Sequence, residues 1–454
     1  MDEPNAAELF AAHVAGVHYA DIPPTAIERA KVFILDSLGV GIAGSTAPGR
    51  SEILAAARRW GAGDEATLWG GGGRLPAPAA TMLNAFQMHC QEFDCVCEPA
   101  VLHPMATLLP AALAYAEREG GISGKALLTS VAVGVDVSGW IGIASTQPLR
   151  FFRPATAGGF GAAAAVARLA GLDTEGIVHA FGLLYTQTSG TMQAHVEAGP
   201  ALPLQVGFNS RAALQAVDLA LTGLPGPLGS IDGPFGYLPL MEGGYTLDQV
   251  RAELGRTWLV AGLAHKPYPA GRATHGAIEG VAVLRERHGF AADDVDEIVV
   301  TVPPLTGQLI SRPDLPDPLP NYARLCTAFV VAKVLQHGHL DLSHYRGTEL
   351  TDERTHQLAA NVRVQTDSNP DPNALVPQRL VVRLRDGREL HWACDSMLAS
   401  AERPLTREQH LAKFRRCCAF ADRPWHDAEI DALIACVDRL ETLADVRVLT
   451  KILG

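Results

Sequence analysis

The sequence predicts a mainly helical protein, in which a large all-helical domain is built from both ends of the chain and a smaller α+β lid domain is inserted between them. Three observations predict this class. Glycine is abundant, with 44 in 454 residues, beside many alanines, and small residues let helices approach closely. Apolar residues recur at helical spacing through the first ~265 residues and again after residue ~400. β-branched runs gather between these regions.

The helices of the first part are identified from apolar spacing and from the residues that end each pattern. Residues 104–119 are the clearest case, because Pro104 suits a first-turn position and Gly120 follows the last apolar residue. The same spacing predicts helices at residues 26–44, 158–172 and 210–222. We therefore predict that residues 1–264 form the first part of the helical domain.

Strands are predicted in the middle of the chain, at residues 295–302, 361–365, 380–384 and 389–393. The last two flank Asp386-Gly387, a strong hairpin signal between alternating runs. A helical stretch at residues 328–335 lies among them. These elements predict an α+β lid domain over residues 265–400.

The end of the chain returns to helical spacing at residues 407–417 and 427–441. Residues 401–454 are therefore predicted to complete the helical domain. A cleft between two such bodies is a usual place for a small-molecule site.

Composition and charge exclude several classes of protein. Apolar residues make up 48% and charged residues 19% of the chain, which excludes a disordered protein. The net charge of −12 argues against nucleic acid as a partner. Asp136 interrupts the most apolar stretch, residues 126–146, so no membrane span is expected. Met1-Asp2-Glu3 lacks the basic start of a leader, and the eight cysteines contain no CxxC pair, so we expect a reduced, cytoplasmic protein.

Two short motifs imitate cofactor or metal sites. Gly159-Phe160-Gly161 loosely resembles a dinucleotide fingerprint, but no strand precedes it, so close helix packing is the better interpretation. Cys95 and Cys97 lie beside acidic residues, but their CxC spacing is not that of a zinc site. We expect no metal.

A first cluster of chemically active residues spans residues 89–104, with the sequence HCQEFDCVCEPAVLHP. It contains two histidines and three carboxylates, and a carboxylate beside an imidazole is typical equipment for general acid–base catalysis. The alternative is structural, since a histidine directly before a helix-starting proline often has no catalytic role.

A second cluster, AHKPYPAGRATHGAIE, spans residues 264–279 at the predicted domain boundary. Lys266, Tyr268, Arg272 and His275 lie in it, and its prolines impose an irregular backbone. Basic groups on a boundary loop of an acidic protein suit an anionic substrate. A solvated turn between domains is the alternative interpretation.

These two clusters, in this order, resemble the MmgE/PrpD family, which includes 2-methylcitrate dehydratase, cis-aconitate decarboxylase and iminodisuccinate epimerase. Lys266-Pro267-Tyr268-Pro269 followed by His275 resembles the family's K-x-Y-P…H signature. Similar landmarks run along nearly the whole chain, at Leu35 to Gly39, Leu68 to Gly70, Phe160 to Ala164, Gly207 to Gly226 and Ala323 to Leu335.

The resemblance implies the same division into helical and lid domains. It also implies a homodimer, no metal and no organic cofactor, with the active site in the cleft. Members of the family act on small polycarboxylic acids at the carbon next to a carboxylate. We therefore expect a small anionic carboxylic acid as the substrate.

The resemblance also carries site residues over to this sequence. His103 and His275 are the candidates for general acid and base, and Asp94 or Glu92 would orient or tune one imidazole. Lys266, Arg272 and Arg153 are expected to hold carboxylates and to stabilise the enolate-like charge that develops. Tyr268 and Gln205 complete the predicted substrate-binding residues.

Five positions depart from the family pattern, and at one of them Glu92 replaces an aspartate. Val96 stands where the motif has a threonine, Leu202 where a lysine is expected, Arg153 where a histidine is common, and Phe329 where the family has a tyrosine. A valine and a leucine remove hydroxyl and anion contacts, whereas Arg153 adds one positive charge. These changes favour a substrate other than the usual tricarboxylates.

The leading hypothesis is a cofactor-independent lyase or isomerase that abstracts a proton next to a carboxylate, dehydratase-like but with a non-standard substrate. A cis-aconitate-type decarboxylase or an epimerase is the alternative within enzymes. A catalytically inactive, acid-binding member of the family is the alternative of another class.

Overall fold

The computed structural model describes residues 4–454. Met1, Asp2 and Glu3, on which the expectation of no leader rests, lie outside the described residues. Helices make up 59% of the structure and strands 8%. The predicted class, mainly helical with a small α+β portion, is therefore confirmed.

The first part of the chain forms eleven α-helices among the described residues and one two-stranded ribbon, β1 (Ala66–Thr67) with β2 (Arg74–Leu75). The helices are α1 (Ala6–Gly16), α2 (Pro24–Ala43), α3 (Arg50–Trp60), α4 (Ala77–His89), α5 (Pro104–Glu119), α6 (Gly124–Ile143), α7 (Arg153–Ala170), α8 (Thr174–Tyr185), α9 (Met192–Glu197), α10 (Ala201–Leu221) and α11 (Asp248–Glu253).

The middle of the chain forms a four-stranded sheet with five helices. The helices are α12 (His275–His288), α13 (Pro304–Ile310), α14 (Pro320–Arg324), α15 (Thr327–His337) and α16 (Glu353–Ala359). The strands are β3 (Val295–Val302), β4 (Val362–Thr366), β5 (Gln378–Leu384) and β6 (Glu389–Cys394). Their order is β4-β3-β5-β6, with β3 parallel to β4 and the other pairs antiparallel.

The chain ends in α17 (Arg407–Ala419), α18 (Asp427–Asp438) and α19 (Arg447–Leu453). One large apolar core combines residues from both ends of the chain, such as Phe10 and Phe86 with Phe414 and Leu433. A second core belongs to the middle of the chain. The boundaries at residues 264 and 400 stay a prediction, but the packing places the last helices against the first.

Small residues allow α6 and α7 to pack closely. A Cβ added at Gly134 would lie 2.7 Å from the carbonyl oxygen of Gly161, and one at Gly161 would lie 2.5 Å from that of Gly134. Gly161 therefore serves helix packing, as its sequence context indicated. Helix α6 is long and apolar enough to cross a membrane, but 89% of its most apolar window is buried inside the structure, as in a core helix.

The predicted elements agree with the structure except at some ends. Helix α10 begins nine residues before the predicted start, because Pro203 fits the first turn of a helix. The predicted helix at 427–441 stops at Asp438 and continues as a separate 3₁₀ turn, Leu440–Thr442. The hairpin around Asp386-Gly387 is confirmed, since β5 and β6 pair in antiparallel register.

Candidate active site

The two clusters singled out in the sequence meet in the structure. Val96 and Ala264 form a β-bridge in which each backbone N–H donates to the other's carbonyl, at 3.0 and 2.9 Å. The segment after α4 is thereby joined to the segment before α12. Parts of both segments line one pocket, together with residues from elsewhere in the chain such as Leu149, His195 and Leu375. The space in this pocket is about 580 Å³ when the open solvent at its mouth is included.

Two histidines share one carboxylate at this pocket. Asp94 is fully buried, and its Oδ2 lies 2.9 Å from His89 Nδ1 and 3.3 Å from His103 Nδ1. His103 Nδ1 also lies 3.0 Å from the carbonyl oxygen of Cys95, which can only accept, so Nδ1 carries the proton. The Nε2 atoms of both rings have no hydrogen-bond partner among residues 4–454, and both residues line the pocket.

The environments of these histidines shift their pKa values in opposite directions. Burial alone would lower the pKa of His89, but the Asp94 and Glu92 carboxylates outweigh it, so the pKa is raised. Burial is also the largest influence on His103, and together with Lys266 it outweighs Asp94, so that pKa is lowered. Two imidazoles whose pKa values are shifted in opposite directions are suited to hold one proton between them near neutral pH.

A buried lysine keeps the acidic residues ionised. Lys266 Nζ lies 2.8 Å from Glu92 Oε2 and 3.6 Å from Asp94 Oδ1. Burial would raise the pKa of Glu92, but Lys266, His89 and His103 lower it to about 2. The pKa of Asp94 is held well below its usual range against the same burial, chiefly by the two histidines and Lys266. Glu92 and Asp94 therefore act as fixed negative charges and not as proton donors.

Glu92 also carries local backbone strain. Its φ of 47° lies in the left-handed region that non-glycine residues rarely adopt. This turn directly follows α4 and brings the Glu92 carboxylate to Lys266. Strained residues of this kind concentrate at functional sites.

Arg272 lines the pocket and has one nitrogen without a hydrogen-bond partner among the residues described. Its Nε donates to Glu98 Oε1 at 2.7 Å, and its Nη1 donates to the carbonyl oxygens of Leu398 and His265. Its Nη2 is buried and has no partner within the described chain, and Arg272 lines the pocket. The role of Arg272 in holding a carboxylate stays a prediction.

His275 does not occupy the position expected of a general acid or base. Its Nε2 donates to the carbonyl oxygen of Ala270 at 3.1 Å, and its Nδ1 accepts from Arg272 Nη1 at 3.3 Å. Burial, reinforced by Arg272 and Lys266, holds its pKa well below the usual range. Both ring nitrogens are occupied and His275 is not among the lining residues, so it supports Arg272 from behind. Tyr268 packs edge-on against the His275 ring, 5.3 Å away, and is also outside the lining.

Arg153 and Gln205 are likewise used within the protein. Arg153 is fully buried, with Nη2 2.8 Å from Glu242 Oε2, and its Nη1 donates to the Ala100 carbonyl and to Asn373. Its charge is paired and it is not among the lining residues, so its expected role in holding a substrate carboxylate stays a prediction. Gln205 Oε1 accepts from the backbone N–H of Thr191, which positions the start of α9.

The rest of the pocket is mostly apolar, which the sequence did not reveal. We call this surface the apolar wall, and it consists of Val96, Val101, Leu149, Phe152, Pro154, Met192, Leu309, Ile310, Leu325 and Leu375. Phe329, which the resemblance places at a tyrosine position, is buried in the second core, that of the middle of the chain.

Two histidines of the pocket had no assigned role in the sequence analysis. His89 lies in the first cluster, five residues before Asp94, and this proximity to a carboxylate is the sequence feature that could have identified it as a site residue. His195 on α9 had no sequence signal. It is buried in the pocket lining with Nδ1 3.5 Å from Arg312 Nη2, and burial lowers its pKa to about 4. Because Arg312 can only donate, Nε2 carries the single proton of the neutral ring.

A lysine of helix α17 bonds to the segment that carries Asp94. Lys413 of α17 donates to the carbonyl oxygen of Phe93 at 2.8 Å, and its Nζ lies 2.8 Å from Asp36 Oδ1. Residues from α2, from the 89–103 segment and from α17 therefore meet directly behind the histidine pair.

Two groups of side chains have the composition of a metal site. One is His89, Asp94 and His103, and the other is Asp36, His265 and His410. In each group a lysine ammonium already lies beside the carboxylate, Lys266 at 3.6 Å and Lys413 at 2.8 Å. A fixed cation at that distance opposes a metal ion, and the expectation of no metal stays a prediction.

Comparison with known proteins identifies similar chains over almost the full length. Residues 8–250 match the family model described as the MmgE/PrpD N-terminal domain, and residues 268–439 match the MmgE/PrpD C-terminal domain. Cis-aconitate decarboxylase from Mus musculus is 28% identical, over 98% of this chain and 93% of that protein. Its counterpart from Homo sapiens is 27% identical, over 98% and 94%. The cis-aconitate decarboxylase-like protein oryM from Aspergillus oryzae is 26% identical, over 96% and 94%.

Proposed function

The chain belongs to the MmgE/PrpD family and is an enzyme of the lyase type, and from this premise we propose that it removes CO₂ from a small unsaturated carboxylic acid. The observation that supports the proposal is the pair of imidazoles, His89 and His103, whose Nδ1 atoms lie 2.9 and 3.3 Å from Asp94 Oδ2. Neither Nε2 has a hydrogen bond from the described residues, and that of His89 lies 3.9 Å from Glu92 Oε1. Such a pair can deliver a proton to carbon. The names of the relatives favour decarboxylation among the reactions of lyases.

The reaction requires that electrons move toward a retained carboxylate. The bond from carbon to the leaving carboxylate breaks, CO₂ departs, and that electron pair forms a new carbon–carbon double bond. The electrons of the former double bond move to the carbon next to the retained carboxylate, where they take the proton of the histidine pair. Solvent then returns a proton to the imidazoles.

The protein groups stabilise the charge that develops in this step. Arg272, with its free Nη2, would hold the retained carboxylate and the enolate-like charge that builds on it. The carboxylate that leaves would have no cation of its own, because Arg272 is the one lysine or arginine that lines the pocket within residues 4–454. No ion pair then stabilises that group before reaction, and CO₂ itself is apolar, so the transition state is stabilised relative to the bound acid.

Dehydration is the second candidate, and the neutral state of His103 favours it. An unprotonated Nε2 can abstract a proton next to a carboxylate, while a protonated His89 can protonate the departing hydroxyl. Decarboxylation and dehydration would both use His89 and His103 beside Asp94. The two reactions differ because only dehydration also requires a base.

The proposal is tested by incubating the protein with cis-aconitate in deuterated buffer and following the mixture by NMR. We expect release of CO₂ and a product with one deuterium on the carbon next to a retained carboxylate. His89→Gln and His103→Gln are each expected to lower turnover by about 10²–10⁴-fold, the usual contribution of a proton-transfer group. His13→Gln, which changes a buried histidine bonded to Asp136 away from the pocket, is the matched control.

Other outcomes of this experiment contradict the proposal in distinct ways. Addition of water to the double bond would favour the hydro-lyase. Deuterium exchange without CO₂ would indicate proton abstraction alone, as in an epimerase. If no unsaturated or hydroxylated small acid reacts or exchanges, the chain is an inactive acid-binding member of the family.

The dependence of kcat on pH separates the two candidates. Decarboxylation needs the proton of the pair, so kcat is expected to fall as the pH rises through the His89 pKa, which is raised above 6.5. Dehydration also needs an unprotonated base, so kcat would fall on the acid side too, below the His103 pKa, which is lowered from 6.5. A histidine pair titrates between about pH 5 and 9, so initial rates are measured over that range. A profile of kcat that falls only at high pH supports decarboxylation, and a bell-shaped profile supports dehydration.

A further inference from the structure

We infer that the acid bound here carries two carboxylates and an apolar substituent at the position where cis-aconitate has its central carboxylate. The inference deepens the proposed function and rests on it for the reaction. It stands on the charges and the surfaces that the pocket presents, which suit a dicarboxylate with a hydrocarbon arm better than a tricarboxylate.

One arginine of the pocket has a nitrogen with no hydrogen-bond partner in the described chain, although its charge is paired with Glu98. Within residues 4–454, Arg272 is the one lysine or arginine that lines the pocket, and Nη2 is this nitrogen. Lys266 lies behind the lining and is paired with Glu92 and Asp94. Arg153 is paired with Glu242. Anchoring a carboxylate by a guanidinium is strong and directional, but there is one such anchor.

A second polar anchor is neutral. His195 is buried in the lining, and its Nε2 carries a proton because Arg312 occupies Nδ1. An imidazole N–H donates one hydrogen bond to a carboxylate without neutralising it. Arg272 and His195 together account for two carboxylates.

The fixed charges of the pocket are already balanced, so no cation is left for a third carboxylate of the substrate. Glu92 and Asp94 are offset by Lys266 and the proton of the histidine pair, and Glu98 lies on Arg272. The pocket is therefore close to neutral before the acid enters. A third carboxylate would face the apolar wall, where it would lose water and gain no partner. An alkyl group at that position would bury its surface there instead.

The test compares two acids that differ at one position. (E)-3-Methylglutaconate has the carbon chain and alkene geometry of cis-aconitate, with a methyl group in place of the central carboxylate. We expect kcat/KM to be at least about tenfold higher for the methyl compound, because specificity is the difference between two affinities for one transition state. Equal or better use of cis-aconitate would overturn the inference.

A variant of the apolar wall tests the cause of this preference. Met192 is half-buried, so Met192→Lys would add a second cation to the lining while leaving the lysine head an exit to water. We expect the preference to move toward cis-aconitate by about tenfold. Met241→Lys makes the same change at a half-buried methionine that packs on the core, and it should leave the preference unchanged. A preference that stays the same in Met192→Lys would contradict the assignment to this wall.

Calorimetric binding of the same two acids separates failure of this inference from failure of the proposed reaction. Tighter binding of (E)-3-methylglutaconate with no CO₂ from either acid would sustain the inference and reject the carboxy-lyase. Release of CO₂ together with a preference for cis-aconitate would support the carboxy-lyase and overturn the inference. Absence of binding by both acids would overturn the inference.

Discussion

Replacing Asp94 by asparagine is expected to remove nearly all turnover. Its Oδ2 accepts from His89 Nδ1 and lies 3.3 Å from His103 Nδ1, whereas an amide can turn its NH₂ group toward one of these nitrogens and so favour the wrong tautomer. The expected loss in kcat is about 10³–10⁴-fold, the scale known for the carboxylate that orients a catalytic histidine. Steady-state rates with the best substrate measure it.

The control for this prediction is another buried aspartate on a histidine. Asp136 is fully buried, lies 3.2 Å from His13 Nε2 and accepts from the backbone N–H of Leu259. Asp136→Asn should therefore change stability in a similar way but leave kcat near that of the wild type. Equal loss in the two variants would mean that burial, and not the histidine pair, explains the effect of Asp94→Asn.

Replacing Lys266 by methionine is expected to remove activity and to destabilise the fold strongly. Its Nζ lies 2.8 Å from Glu92 and 3.6 Å from Asp94, and all three side chains are buried. Without the ammonium, two carboxylates are left together with one cationic proton between them. Breaking a buried ion pair in this way costs roughly 3–5 kcal/mol in the free energy of unfolding. Urea unfolding measures this loss.

A second substitution separates the stability effect from the catalytic effect. Lys266→Met combined with Glu92→Gln removes the unpaired charge along with its partner, so much of the lost stability should return. Activity should not return, because the charges around the histidine pair have changed. If the single variant unfolds at the same urea concentration as the wild type, the three groups do not form the ion cluster described above.

The helices and the hairpin could be predicted because short stretches of sequence determine where these elements form. Pro104 at a helix start and Asp386-Gly387 between two alternating runs each fix an element without distant contacts. The starts and ends were less certain, as at α10, because a proline in a first turn looks the same in sequence as one that precedes a helix.

The site was predictable where the sequence keeps interacting residues close together. His103, Asp94, Glu92 and Lys266 were expected at the site and do meet there, the first three within twelve residues of one another. The role of His275 could not be predicted, because it depends on the direction in which the first turn of α12 points the ring.

Two other features depended on distant parts of the chain. Arg153 is ion-paired because Glu242, 89 residues away, reaches its guanidinium. The apolar wall combines residues from distant parts of the chain that no local pattern links.

The contact of Lys413 with Phe93 and Asp36 has a consequence for how the enzyme is made. During synthesis the histidine pair leaves the ribosome well before α17 does, because Lys413 follows His103 by about 310 residues. A nascent chain therefore has the acid–base residues before it has the cation that contacts their segment. Chains that stop before α17 would carry an unsupported site.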